Sequence, residues 1–189
     1  MNMFIINKLF HYVKYNLIDK WKFIYLEQNL DDSSFNMPEM DNSIVIRIAL
    51  AGDIEKIKNE MYPYMEEDQE YDKRYIDRIG DDDFKCFIAL NNNVIVQYFM
   101  VFPKTTESPL VKTPFNKKNI RDDYSYLGST FTVPEARGMW VVPISLSVIL
   151  KFLRDEQKQK KVYVLVHKDT PGGKEFYVGL DFTVVENAI

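Results

Sequence analysis

The chain has 189 residues and a formal net charge of −4, with 46% hydrophobic and 28% charged residues. That length suits one domain, or one domain with an extension, and the apolar fraction is enough for a sizeable core. The negative balance argues against nucleic acid as the main partner, because phosphate neutralisation needs a basic face.

A single cysteine, Cys86, excludes an intramolecular disulfide and fits a reducing cytoplasm. His11, Cys86 and His167 lie far apart in sequence, so no metal site is expected. No apolar run is long enough to span a bilayer. The start, MNMFIINKLF, lacks the apolar stretch and small-residue cleavage site of a secretory signal.

In chain order, Phe4, Ile5, Leu9, Tyr12, Val13 and Leu17 recur at helical spacing and predict an amphipathic helix over Phe4–Leu17. Lys22–Glu27 reads as a strand, and the polar stretch Asp31–Ser43, with Pro38, as a loop. Ile44–Ile48 alternates as a strand. Asp53 is a helix N-cap candidate, with Ile54, Ile57 and Met61 following on one face. Glu66–Ile79 reads as a second, highly charged helix. Phe84–Leu90 and Val94–Phe102 form a hairpin around Asn91-Asn92-Asn93, since asparagine tolerates the left-handed backbone of a tight turn.

Lys104–Asp123 carries Pro109 and Pro114 and reads as a long loop of the kind that often serves function. Tyr124–Val133 is a strand, Ile144–Leu153 an apolar helix running on into the solvated segment Arg154–Lys161, and Val162–Val166 a buried strand. Thr170-Pro171 has the form of a helix start, threonine capping and proline first in the helix. Gly179 is the expected C-terminal cap, and Phe182–Val185 a last strand. Cys86, within a strand, reads as a buried small hydrophobe. Gly172-Gly173-Lys174 lacks the earlier glycine and the following Ser/Thr of a nucleotide-binding P-loop.

The segment Phe131-Thr-Val-Pro-Glu-Ala-Arg-Gly-Met-Trp-Val-Val-Pro-Ile-Ser-Leu ends a strand in Val-Pro-Glu-x-Arg-Gly and turns into an apolar helix. It resembles the acetyl-CoA motif of the GNAT superfamily of acyl-CoA-dependent N-acetyltransferases, whose pattern is Arg/Gln-x-x-Gly-x-Gly/Ala. Arg137 stands at the first position, while Trp140 and Val142 stand at the two small ones. A second segment, Val162 to Phe182, resembles the superfamily's Asn-x-x-Ala-x-x-x-Tyr strand and helix. Thr170 is at the asparagine position, Gly173 at the alanine and Tyr177 at the tyrosine.

The resemblance implies an α/β fold, a mixed and largely antiparallel central sheet flanked by helices. It covers residues 43–189, leaving 1–42 as an N-terminal extension of helix, strand and loop that packs on the domain. It further implies that acetyl-CoA is bound by Phe131, Thr132 and Val133 along the pantetheine arm. Arg137, Gly138, Met139, Trp140, Val141 and Val142 would hold the pyrophosphate, with Thr170 as a further contact. The physical basis for the loop is general: free N–H groups and the positive end of a helix dipole favour an anion. Pro143 lacks an N–H and fits best in the first helical turn.

Tyr177 is the candidate general acid, a phenol able to protonate a departing thiolate. Asp122, Asp123 and Glu135 lie near the strand, but each reads as a surface charge, and no general base is nominated. The implied activity is acetyl transfer to a primary amine of a small molecule or amino sugar by direct attack. The alternative is a GNAT-like binding or regulatory module without catalysis. A third reading docks the N-terminal helix on anionic lipid. A homodimer is left open.

Overall fold

The computed structural model describes residues 23–31, 43–65, 70–113 and 115–185. The expected helix over Phe4–Leu17, most of the loop Asp31–Ser43 and the first residues of the segment Glu66–Ile79 fall outside them.

Seven strands make one sheet: β1 (Phe23–Asn29), β2 (Ile44–Ile48), β3 (Lys85–Asn91), β4 (Val94–Phe102), β5 (Tyr124–Thr132), β6 (Lys161–His167) and β7 (Thr183–Val184), in the order β2-β3-β4-β5-β6-β1-β7. Neighbours are antiparallel except β5 and β6, which are parallel. Among the described residues four α-helices flank it: α1 (Ile54–Met61), α2 (Glu70–Ile76), α3 (Val141–Asp155) and α4 (Gly173–Val178). The sheet is therefore mixed and largely antiparallel, as the resemblance implied. No helix of the described residues is long and apolar enough to cross a membrane.

The alternation of β4 assigns its residues to two cores. Tyr98, Met100 and Phe102 pack with Ile57, Met61 and Ile76 under α1 and α2. Phe99 and Val101 pack with Leu146, Ile149, Leu150 and Leu153 of α3 on the other face. The buried Tyr98 hydroxyl donates to Asp72 Oδ2 at 2.6 Å, joining α2 to the sheet. Cys86 is buried, as expected, and burial pushes its thiol up to about 12.

Several local expectations are refined. The hairpin turns on two residues, Asn92 and Asn93, both with positive φ (48° and 66°), so the asparagines supply the left-handed pair that a tight hairpin needs. Asp53 does not cap α1 through its side chain. Its carboxylate instead accepts from the Leu50 amide at 2.8 Å and takes both Arg47 guanidinium nitrogens at 2.7 Å, fastening β2 to the helix start.

Thr170 does not cap α4. That role falls to Gly172 at φ 69°, and Thr170-Pro171 lies in the turn before it. Gly179 does end α4, but in a right-handed conformation, and the left-handed residue is Asp181 at φ 65°.

The long segment Lys104–Asp123 winds into three short 3₁₀ turns, Thr105–Glu107, Pro109–Lys112 and Lys117–Asn119. Leu110 and Phe115 anchor it on Tyr25 and Tyr163, with the Tyr25 and Phe115 rings stacked at 5.2 Å. Buried Thr105 accepts from the Arg121 amide at 2.7 Å and donates to the Arg121 carbonyl at 2.8 Å, closing the loop on itself. Strand β1, from the N-terminal segment, lies inside the sheet between β6 and β7.

The Arg47 hydrogen bonds, followed by the Leu50 amide, hold the Asp53 carboxyl at about 2, below its ordinary value of 3.8. A depressed folded value stabilises fully above about pH 4, and the contribution fades as pH falls through about 2. Solvent reaches the Arg47 side and screens the pair, so Asp53→Asn should lose about 1 kcal/mol at pH 7. Urea denaturation of both proteins should show that difference shrinking toward pH 2. A constant difference would assign it to packing.

Candidate functional site

The parallel ladder of β5 and β6 is short. It runs from Tyr124 opposite Lys161 to Leu127 opposite Val164. Beyond that point β5 continues to Thr132 and β6 to His167 without pairing to each other, while β6 stays bonded to β1. The two strands part.

A bulge in β5 accompanies the parting. Phe99 is opposite Thr130 and Val101 opposite Leu127, so β5 carries one residue more than β4 here. Gly128 sits in the bulge, where an added Cβ would lie 3.0 Å from the Phe102 ring and 3.2 Å from the Met100 carbonyl oxygen. Glycine lets the strands approach this closely without displacing those neighbours.

Past the bulge, the Val133 amide donates to the Val96 carbonyl at 3.0 Å. By the alternation of an antiparallel ladder, the amides and carbonyls of Thr130 and Thr132 then face away from β4, into the opening. The opening leads into a cavity of about 630 Å³. Thr130, Phe131 and Thr132 line it from β5, and Phe176 from α4. The segment before α3 supplies Ala136, Arg137, Gly138 and Trp140, and the first turn of α3 supplies Val141, Val142 and Pro143. Gly173 lets α4 reach this place: an added Cβ would lie 2.7 Å from Val166 Cγ1 of β6.

The loop before α3 is a row of free donors. A 3₁₀ turn, Pro134–Ala136, precedes it. The amides of Ala136, Arg137 and Met139 are used locally, bonded to the carbonyls of Val133, Pro134 and Ala136. Those of Gly138, Trp140, Val141 and Val142 have no acceptor among the described residues. Pro143 occupies the first turn of α3, where a missing N–H breaks no helical bond. Four free donors at the positive end of a 15-residue helix suit an anion.

Trp140 caps α3 at φ 59° and ψ 13°, in the left-handed region, and Gly138 has φ 85°. The backbone at Trp140 thus has the glycine-like shape that the motif's small residue would supply, carried by a tryptophan. Arg137 Nε donates to the Thr132 carbonyl at 3.2 Å, and its guanidinium lies 5.9 Å from the Phe131 ring centre. Beneath the helix start, buried Ser145 donates to Gln97 Oε1, and Gln97 Nε2 donates to Thr132 Oγ1 at 3.2 Å. This chain of side chains ties α3, β4 and β5 together behind the cavity.

Of the residues read from sequence, Phe131, Thr132, Arg137, Gly138, Trp140, Val141 and Val142 meet at the cavity. Val133 is buried with its amide engaged, and Met139 and Thr170 are not in the lining. Tyr177 is buried beside Phe176 and Phe182, with ring centres 5.1 and 5.2 Å away, and burial raises its pKa. It is Phe176 that reaches the cavity. Sequence reading missed Thr130, Ala136, Pro143 and Phe176. The strand alternation that selects Thr132 also selects Thr130. Among the described residues no group of His, Cys, Asp and Glu is arranged to hold a metal.

No protein-family model matches the sequence, and no curated protein matches it. Solved structures do. A ribosomal-protein-alanine N-acetyltransferase from Brucella melitensis biovar Abortus 2308 aligns with a TM-score of 0.55 at 11% identity, over 74% of this chain and 91% of that one. The aminoglycoside acetyltransferase meta-AAC0020 from an uncultured soil metagenomic sample, in complex with trehalose, aligns at 0.54 and 17%, over 80% and 95%. AAC(6')-Iy, bound to the bisubstrate analog CoA-S-monomethyl-acetylneamine, aligns at 0.54 and 13%, over 77% and 95%. The chain has the GNAT fold. Within that fold the two motif segments meet at one cavity, lined by Phe131, Thr132, Arg137, Gly138 and residues 140–143 from the first and Phe176 from the second.

A left-handed tryptophan is strained by about 1–2 kcal/mol relative to glycine. Trp140→Gly should therefore be about 1 kcal/mol more stable than Trp140→Ala, a gain of about 2–4 °C in Tm for a chain of this size. Equal melting temperatures would remove the strain from the account.

Proposed function

We propose that the chain transfers an acetyl group from acetyl-CoA to a primary amine of a small molecule or amino sugar. The observation that carries this reading is the cleft between β5 and β6, which runs into four free amides at the start of α3. An extended thiol cofactor with a diphosphate fits it. The amides of Gly138, Trp140, Val141 and Val142 would hold the diphosphate, aided by the dipole of α3. The backbone of Thr130 and Thr132, with the Phe131 ring, would hold the pantetheine arm.

Bound acetyl-CoA supplies a thioester carbonyl that an amine can attack directly, so no nucleophile of the chain is required. Tyr177 is our candidate proton donor at the departing sulfur. Burial raises its pKa, so its phenol stays protonated at neutral pH. Phe131, Val141, Val142 and Phe176 give the cleft an apolar lining. A structural neighbour named an aminoglycoside acetyltransferase, and another bound to the bisubstrate analog CoA-S-monomethyl-acetylneamine, support an amino-sugar acceptor. A single buried cysteine and an acidic balance support a cytoplasmic setting.

A second reading, a cofactor-binding module without turnover, draws on one observation. The Tyr177 ring is packed in the core beside Phe176 and does not line the cavity.

Calorimetry and thermal melting with acetyl-CoA test both. At about 100 times Kd the ligand should add about 2.7 kcal/mol, a rise of roughly 5–10 °C. Thiol release with a panel of aminoglycosides and amino sugars should follow, and Tyr177→Phe should lower kcat about 100-fold or more while cofactor affinity holds. Binding without turnover would favour the module reading, and absence of binding would sink both.

A further inference from the structure

Trp140 combines three properties that the phosphate loop alone does not require. It is the most exposed large hydrophobic residue among the described ones, at 68%. It holds a backbone conformation that side chains resist. It also lines the cavity, and its own amide is one of the four free donors. A glycine would give the same backbone without strain and without an apolar surface in water. Strain and exposure kept together at a cleft point to a ligand contact made by the side chain.

The position of the ring selects the ligand group. The cleft between β5 and β6 would take the pantetheine end, and Arg137 is folded back over that side, on the Thr132 carbonyl and the Phe131 ring. The diphosphate would rest on amides 138 and 140–142. What remains of the cofactor is the nucleoside, attached to the diphosphate on the side away from pantetheine. Trp140 is the only aromatic residue of the loop, and it stands next to that junction.

Resting on the cofactor reading above, we infer that the Trp140 indole is a stacking platform for the adenine ring of coenzyme A. The indole supplies a flat, sequence-tolerant π-face to the base. It thereby compensates at the nucleoside end for the small residues that the loop lacks at Trp140 and Val142. The chain would therefore discriminate full coenzyme A from carriers that end at the phosphopantetheine.

The test is calorimetry with coenzyme A and with 4′-phosphopantetheine on the wild type, Trp140→Ala, Trp140→Gly and Trp140→Phe. Loss of the ring should weaken coenzyme A about 5- to 100-fold in both the Ala and Gly variants. Phe should retain most of the affinity, and 4′-phosphopantetheine should bind all four within about twofold. The chain has two tryptophans, so a Trp21→Phe background isolates Trp140 fluorescence. Coenzyme A should quench that fluorescence and 4′-phosphopantetheine should not.

Unchanged coenzyme A affinity in Trp140→Ala overturns the inference. So does an equal loss for both ligands, which would assign the effect to loop shape. A wild type that binds neither ligand overturns the cofactor reading itself, a result distinct from either.

Discussion

The parallel pairing of β5 and β6 stops at Leu127 and Val164, and the candidate site follows from that stop. A parallel ladder holds two strands at a fixed spacing for as long as both present their bonding groups to each other. The bulge at Gly128 changes the course of β5 while keeping it bonded to β4. A side chain there would crowd the Phe102 ring and the Met100 carbonyl, which glycine avoids. Strand β6 is held along its whole length to β1 on its other edge and does not follow. The result is a cleft whose wall on the β5 side is backbone, with the polar groups of Thr130 and Thr132 turned into it.

The rest of the site is arranged around this cleft by packing. Helix α3 is anchored to β4 by its apolar face, and its first turn is tied to β5 through Ser145, Gln97 and Thr132. Those contacts set the free amides of the loop at the end of the opening. Helix α4 approaches from β6 because Gly173 leaves no Cβ against Val166, and it brings Phe176 to the cavity and Tyr177 into the core beside it. The free amides and the apolar lining of the cavity are thus held by separate elements. The strain at Trp140 is borne by a loop fixed at both ends.

Much of this was legible in the residues. The hairpin at Asn92-Asn93, the apolar stripe of α3 and the buried strand β6 follow from periodicity and turn chemistry. The loop before α3 stood out because a strand ending in Val-Pro-Glu-x-Arg-Gly before an apolar helix resembles a family motif, and the structure puts that loop at the cavity. Thr170 was misread as a cap, and Asp53 holds the N-cap position of α1 without a capping bond from its side chain, for one physical reason. A capping residue is recognised by type and position, but its side chain takes whichever partner lies nearest. For Asp53 the nearer partner is Arg47 across the turn, and at α4 the cap passed to Gly172. Phe176 and Tyr177 are adjacent, and sequence cannot say which of two neighbouring aromatics faces a cavity.

Local rules therefore determined the elements, their order, the buried state of Cys86 and the place of the loop before α3. These depend on interactions between residues a few positions apart. Tertiary structure alone decided where the β5–β6 ladder ends and that β1 enters the sheet between β6 and β7. It also decided which loop amides stay free and that Trp140 carries a glycine's backbone shape. Each of these is settled by contacts between segments far apart in the chain, whose pairing no local pattern encodes.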